Sequence, residues 1–258
     1  MPSKTRKPCC GLAVLCVLGF PSIARAQATG QIWSSAIVEW LATDRVTAQL
    51  EVEPKAQVFV PAGKATTFEL DMTPHVDYLL APWIDVLGEA EIGTKNQSNE
   101  VHTTTVAPRI GAQLHLLSRI VQARARRGAE REKLPRRRAT ISTLLRLENQ
   151  FKYSSADTST TSSWRFRYRF DAAYPLNRAK TTVDGAVYLT YDGELFMPID
   201  STPHRAVSEM RFRTGLGFRR SFSQRFEALY IWTGERNEPS SPLAAQSHAI
   251  EVRVKLAF

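Results

Sequence analysis

The chain has 258 residues, 43% of them hydrophobic, a formal net charge of +9 and three cysteines. Cys9, Cys10 and Cys16 all lie near the amino terminus, so once a leader is removed no thiol remains for a disulfide, a zinc cluster or a nucleophile. No later stretch approaches the roughly 18 consecutive apolar residues of a transmembrane helix, so a membrane-spanning form of this chain has to be a closed barrel.

Lys4, Arg6 and Lys7 precede an apolar run over residues 9–20, about a dozen residues and too short to cross a bilayer. Ala24-Arg25-Ala26 then offers small residues where a signal peptidase reads them. The pattern predicts a signal peptide over residues 1–26, removed on export, and a single domain over residues 27–258. Leu15 stands before Cys16, where a lipoprotein signal needs a small residue.

From Gln31 onward the dominant period is two, which predicts strands rather than helices. Ile32, Ala36, Val38 and Trp40 share the first apolar parity. Val46, Ala48, Leu50 and Val52 form the second, opposite Thr47, Gln49, Glu51 and Glu53. Phe68, Leu70 and Met72 form the third; Ile84, Val86, Ala90 and Ile92 form the fourth, opposite Asp85, Glu89 and Glu91. Val106, Ile110, Ala112, Leu114 and Leu116 mark a fifth, and Ile141, Leu145, Leu147, Phe151 and Tyr153 a sixth.

The second half alternates more cleanly. Trp164, Phe166, Tyr168 and Phe170 interleave with Arg165, Arg167, Arg169 and Asp171, and Val183, Val187, Leu189 and Tyr191 follow. Met210, Phe212, Leu216 and Phe218 interleave with Glu209, Arg211, Arg213 and Arg219; Phe226, Ala228, Tyr230 and Trp232 make the tenth row. The last row, Ile250, Val252, Val254 and Leu256, alternates with Glu251, Arg253 and Lys255 and ends at Phe258. Charge is nearly absent from the apolar parity, as a lipid-facing surface requires, since Arg at the bilayer midplane costs roughly 2–4 kcal/mol.

These rows predict an all-β fold, an antiparallel transmembrane β-barrel of the porin-like type in the outer membrane of a Gram-negative bacterium. Bacterial barrels have even strand numbers, so twelve strands are expected, with residues 54–60 breaking the second run in two; ten is the alternative. The terminal strand ending at Phe258 is the element that barrel-assembly machinery would read. Counting back from a periplasmic carboxyl end places long outer loops at 154–163, 192–208 and 234–245, and short inner turns at 175–180 and 221–224. Trp33, Trp83 and Trp164 are the expected interfacial girdle residues.

Residues 118–140 depart from the pattern. Arg119, Arg124, Arg126, Arg127, Arg131, Lys133, Arg136, Arg137 and Arg138 stand against Glu130 and Glu132, a net charge of +7. This basic loop accounts for the high pI, so the charge does not imply nucleic acid; its expected partners are lipid phosphates or other anions.

On the inward parity, Arg146, Glu148, Arg165, Arg167, Arg169, Arg211, Arg213 and Glu227 form the expected lumen charge network, with Asp171, Asp184, Glu209, Glu251 and Arg253 as further members. Such ladders either fill a narrow barrel or line an aqueous path whose arginines favour anionic solutes. A barrel enzyme acting on lipid or protein would need a histidine against a serine or carboxylate at a rim, and His75, His102, His115, His204 and His248 show no such motif. No metal-ligand spacing and no phosphate-binding loop is present, so no catalytic site, metal or cofactor is expected. A soluble periplasmic β-protein is the remaining alternative, and it requires the apolar parity to enclose a core.

Gln31-Ile32-Trp33, Leu50-Glu51-Val52-Glu53-Pro54, Trp164 to Phe170 followed by Tyr174-Pro175-Leu176, and Asp192-Gly193-Glu194-Leu195-Phe196 recur in order along the chain, with Arg211-Phe212-Arg213, Gly215 to Phe218, Arg225-Phe226-Glu227 and Tyr230-Ile231-Trp232 after them. In this series the chain resembles the family called domain of unknown function 2490, whose members are expected to form outer-membrane barrels. The resemblance implies architecture and location, and no substrate. The sequence reading is thus a monomeric barrel in outer-membrane lipid, acting as a narrow pore or as a structural or binding barrel.

Overall fold

The computed structural model describes residues 29–61, 65–116, 139–199, 207–236 and 243–258. Eleven strands run in chain order: β1 (Thr29–Leu41), β2 (Val46–Phe59), β3 (Thr67–Ala81), β4 (Ile84–Gln97), β5 (His102–His115), β6 (Thr140–Ser154), β7 (Thr160–Pro175), β8 (Ala186–Pro198), β9 (Glu209–Ser221), β10 (Gln224–Glu235) and β11 (Ala244–Ala257). Each pairs antiparallel with its sequence neighbours, and β1 pairs with β11 to close the barrel. Strands of about 14 residues extend roughly 46 Å; tilted about 40°, they still cover an apolar band about 25 Å tall.

Eleven strands replace the twelve, or ten, expected from even numbering. The break expected within the second run is absent, because β2 continues through Pro54. Proline lacks an N–H, and the sheet accommodates this by omitting pairing on one side only. Pro54 stays opposite Leu70 of β3, while the β1–β2 ladder skips Ser34 and Ser35. Pro74 stays opposite Leu50, and the β3–β4 ladder skips Thr73 and Pro74. Pro108 stays opposite Ala90, and the β5–β6 ladder skips Ala107 and Pro108.

An odd number of strands joined by antiparallel hairpins brings the first and last strands together in the same direction. β1 and β11 pair parallel from Thr29↔Ser247 to Glu39↔Ala257. The carboxyl end is tied into one rim: the Phe258 amide donates to the Glu39 carbonyl at 2.9 Å, and the Leu41 amide donates to that of Phe258 at 3.2 Å. The connections 42–45, 82–83, 176–185 and 222–223 lie on this C-terminal rim, as do the end of β5 and the start of β6. On the opposite rim, the turn joining β6 and β7 is fastened by Ser159, whose backbone N–H and Oγ donate to Asp157 at 3.1 and 2.7 Å and hold that carboxyl below its ordinary range.

The apolar parity faces outward all round. Ile250 and Val252 are each 53% exposed, Leu216 52% and Tyr230 38%. A soluble β-protein would bury these side chains, so that alternative does not describe the observed arrangement. Trp83 and Trp164 face outward as expected, but Trp33 does not: it sits on the opposite parity from Ile32, is 4% exposed, and packs inside with Ile231 and Ala249.

Candidate functional site

Alternation that sends apolar side chains out sends the polar parity into the lumen. A cavity of about 980 Å³ occupies it, lined continuously from Asp44 and Arg45 at the C-terminal rim to Lys95 and Gln97 at the other. With neighbouring strands about 4.8 Å apart, side chains from several strands meet across this narrow space.

At mid-height β4 to β8 supply a belt of four arginines and four glutamates. Glu148, fully buried, accepts from Arg109 Nε at 2.8 Å and Arg167 Nη1 at 2.9 Å and lies 2.6 Å from Arg165 Nη2. Arg146 reaches Glu89 and Glu194, both at 2.6 Å, and so ties β4 to β8. Arg167 also donates to Glu194 at 2.8 Å, while Arg109 bonds Glu91 and lies 3.2 Å from Glu89. Charges taken from water need such reciprocal pairing, because a single unpaired ion in this setting costs several kcal/mol.

A second cluster lies toward the opposite rim. Lys55 of β2 holds Glu53 at 2.9 Å, Glu69 at 3.1 Å and Asp71 at 2.5 Å, and its ammonium sits 4.7 Å above the Trp33 ring. Arg211 of β9 approaches the same ring at 5.4 Å. Phe196, 1% exposed, is flanked by Arg165, Arg167 and Arg211 at 4.8, 4.6 and 5.4 Å. These ring faces carry negative charge density and steady the guanidinium groups where carboxylates are fewer.

A third set joins β7 to β11. Arg213 donates to Asp192 at 2.8 Å, Arg169 pairs with Asp171 at 2.6 Å, and Arg253 pairs with Glu251 at 2.8 Å and Glu227 at 3.3 Å. Tyr188 donates its hydroxyl to Glu227 at 2.8 Å across Gly217, where a Cβ would lie only 2.1 Å from the tyrosine ring. The glycine is what lets that ring lie flat against β9.

Every member of the expected network, Arg146, Glu148, Arg165, Arg167, Arg169, Arg211, Arg213 and Glu227, belongs to these ion-paired clusters. Asp184 does not; it lies exposed in the 176–185 connection. The acidic partners Asp192 and Glu194 were expected in an outer loop beginning at Asp192, but β8 runs on to Pro198 and both face the lumen. Lys55, Glu91 and Arg109 were not singled out, although Arg109 is on the parity opposite Val106 and Ile110. The basic-loop residues Arg124, Arg126, Arg127, Arg131, Arg136, Arg137 and Arg138, the signal peptide and His204 lie outside the described residues.

Two histidines meet carboxylates. His115 Nε2 lies 2.6 Å from Asp85, and His75 lies 2.7 Å from Asp77 and 3.2 Å from Glu89. Ser142 is the register partner of His115, yet its Oγ accepts from Gln113 at 3.2 Å. His102 lies 2.7 Å from Asn96, and His248 stacks on Tyr230 on the outward face. Among the described residues no group of three or more His, Cys, Asp or Glu is placed to hold a metal ion.

No curated protein matches the chain. A solved structure described as "NanC porin structure in rhombohedral crystal form" aligns with 80% of this chain and 87% of its own, at 9% sequence identity and a TM-score of 0.36. The family described as "Protein of unknown function (DUF2490)" matches residues 30–241. That match takes in most of the barrel wall and all three lumen clusters except their β11 members, and by it the chain belongs to the DUF2490 family.

Proposed function

We propose that the protein is a monomeric outer-membrane β-barrel of a Gram-negative bacterium, exported by its amino-terminal signal peptide, that acts as a narrow pore for small hydrophilic solutes and catalyses no reaction. The observation that carries this reading is a cavity whose lining, among the described residues, runs from one rim to the other inside a wall with an apolar outer surface. Outer-membrane lipid is the partner of that surface, and the assembly machinery that of the terminal strand ending at Phe258. The partners of the basic segment at 118–140 are lipid phosphates or periplasmic anions.

Planar bilayers containing the purified mature chain test the pore. Small, stepwise, ohmic conductance is expected, larger in Arg146→Ala because that side chain bridges the lumen from β4 to β8. The specific observation favouring a second reading, a sealed structural barrel, is that same mid-lumen belt; a folded protein silent in bilayers, with Arg146→Ala equally silent, would establish it.

A further inference from the structure

The lumen is electrically lopsided. In the ring of eleven, β8 lies five strands from β3 in one direction and β9 five strands from it in the other, so β2–β4 and β7–β9 are opposing walls. Lumen-lining residues on β2–β4 comprise eight carboxylates against two lysines, whereas β7–β9 carry six arginines against four carboxylates. The arginine-rich runs therefore do not make a uniformly basic tube: one wall is strongly acidic and the facing wall is basic. Within a narrow channel bounded by low-dielectric walls, opposed charges of this kind produce a field across the pore rather than along it.

Side chains from the two walls meet over the Trp33 ring. Lys55 lies over this ring from the acidic side and Arg211 approaches it from the basic side, at 4.7 and 5.4 Å. The protein's own groups show what each wall holds. Glu53, Glu69 and Asp71 together grip one primary ammonium, that of Lys55. On the other wall Arg213 grips the carboxylate of Asp192, and Arg211 has Glu209 at 3.1 Å as its acidic partner while its buried Nε has no hydrogen-bond partner. An ammonium is thus favoured on one side of this ring and an anionic group on the other.

We infer that the lumen is selective for small zwitterions bearing a primary ammonium and a carboxylate or similar anion, which cross with their dipole aligned between the Glu53–Asp71 and Arg211–Arg213 faces. This rests on the pore reading and deepens it by naming the solute class. A monovalent ion gains attraction from one wall and repulsion from the other, so net selectivity between anions and cations is weak. A zwitterion is attracted by both, and a neutral solute by neither.

The test compares β-alanine with lactamide, isomers of equal mass of which only the first is a zwitterion, in swelling of liposomes holding the full mature chain. β-Alanine is expected to enter at least about twofold faster, and a potassium chloride gradient across a planar bilayer to give a reversal potential near zero. Glu53→Gln with Asp71→Asn should shift that potential toward anions, and Arg211→Gln with Arg213→Gln toward cations, each abolishing the β-alanine advantage. Heat-modifiable gel mobility identifies variants that have folded, and the wild-type comparison needs no variant. Equal or faster entry of lactamide, or a strongly anionic or cationic wild-type potential, overturns the inference while leaving the pore intact. Absence of both conductance and swelling overturns the pore itself.

Discussion

Glu148 shows how the lumen binds its own charges together. It has no exposed surface and faces three guanidinium groups from β5 and β7, so Glu148→Ala removes the ion-pair partner of Arg165 and weakens the pairing of Arg109 and Arg167. The expected loss is about 3–5 kcal/mol, read as a lower urea midpoint for unfolding from liposomes. Gly217 tests packing rather than charge. Gly217→Val should cost about 1–3 kcal/mol by driving Tyr188 off β9, and combining it with Tyr188→Ala should cost less than the two single changes added together. Single residues were legible where parity was followed. Trp33 is inward because Ile32 is outward; expecting it in the girdle followed residue type instead. Asp192 and Glu194 were hidden by Asp192-Gly193, a dipeptide that ordinarily marks a hairpin turn. Here Gly193 is a strand residue, packed close to the Phe212 ring.

At the level of elements, alternation alone located all eleven rows, because a two-residue period is the direct image of a pleat with apolar side chains on its outer face and charge on its inner one. What alternation could not show was continuity through proline. Pro54, Pro74 and Pro108 each sit within a strand, and each coincides with a gap in one ladder while the other remains paired. A sequence does not state which neighbour will do without the missing donor, so a break in the second run was the natural expectation. The outward rows make their own prediction. Val252 lies in the middle of β11 between Ala228 and Ser34, and 53% of it is exposed. Val252→Arg should destabilise the folded barrel by about 2–4 kcal/mol in bilayers, whereas Val252→Leu should lie within about 0.5 kcal/mol of wild type.

Across the whole molecule, charge that looked like a list of arginines in sequence becomes two unlike walls once eleven strands close into a ring. The inward arginines were legible individually, but their partners Glu89, Glu91 and Glu194 come from strands that only closure and register bring within reach. The parallel seam has a separate geographical consequence. With an odd number of strands, Thr29 and Phe258 lie at opposite rims of the barrel. If Phe258 faces the periplasm in an outer-membrane barrel, Thr29 faces the cell's exterior. An epitope placed just before Thr29 should therefore be stained by antibody on intact cells, and one placed in the 222–223 turn only after permeabilisation. The reverse pattern would turn the barrel upside down. A start on the outside would give this chain a leading end available for display, a position that an even-stranded barrel reserves for its loops.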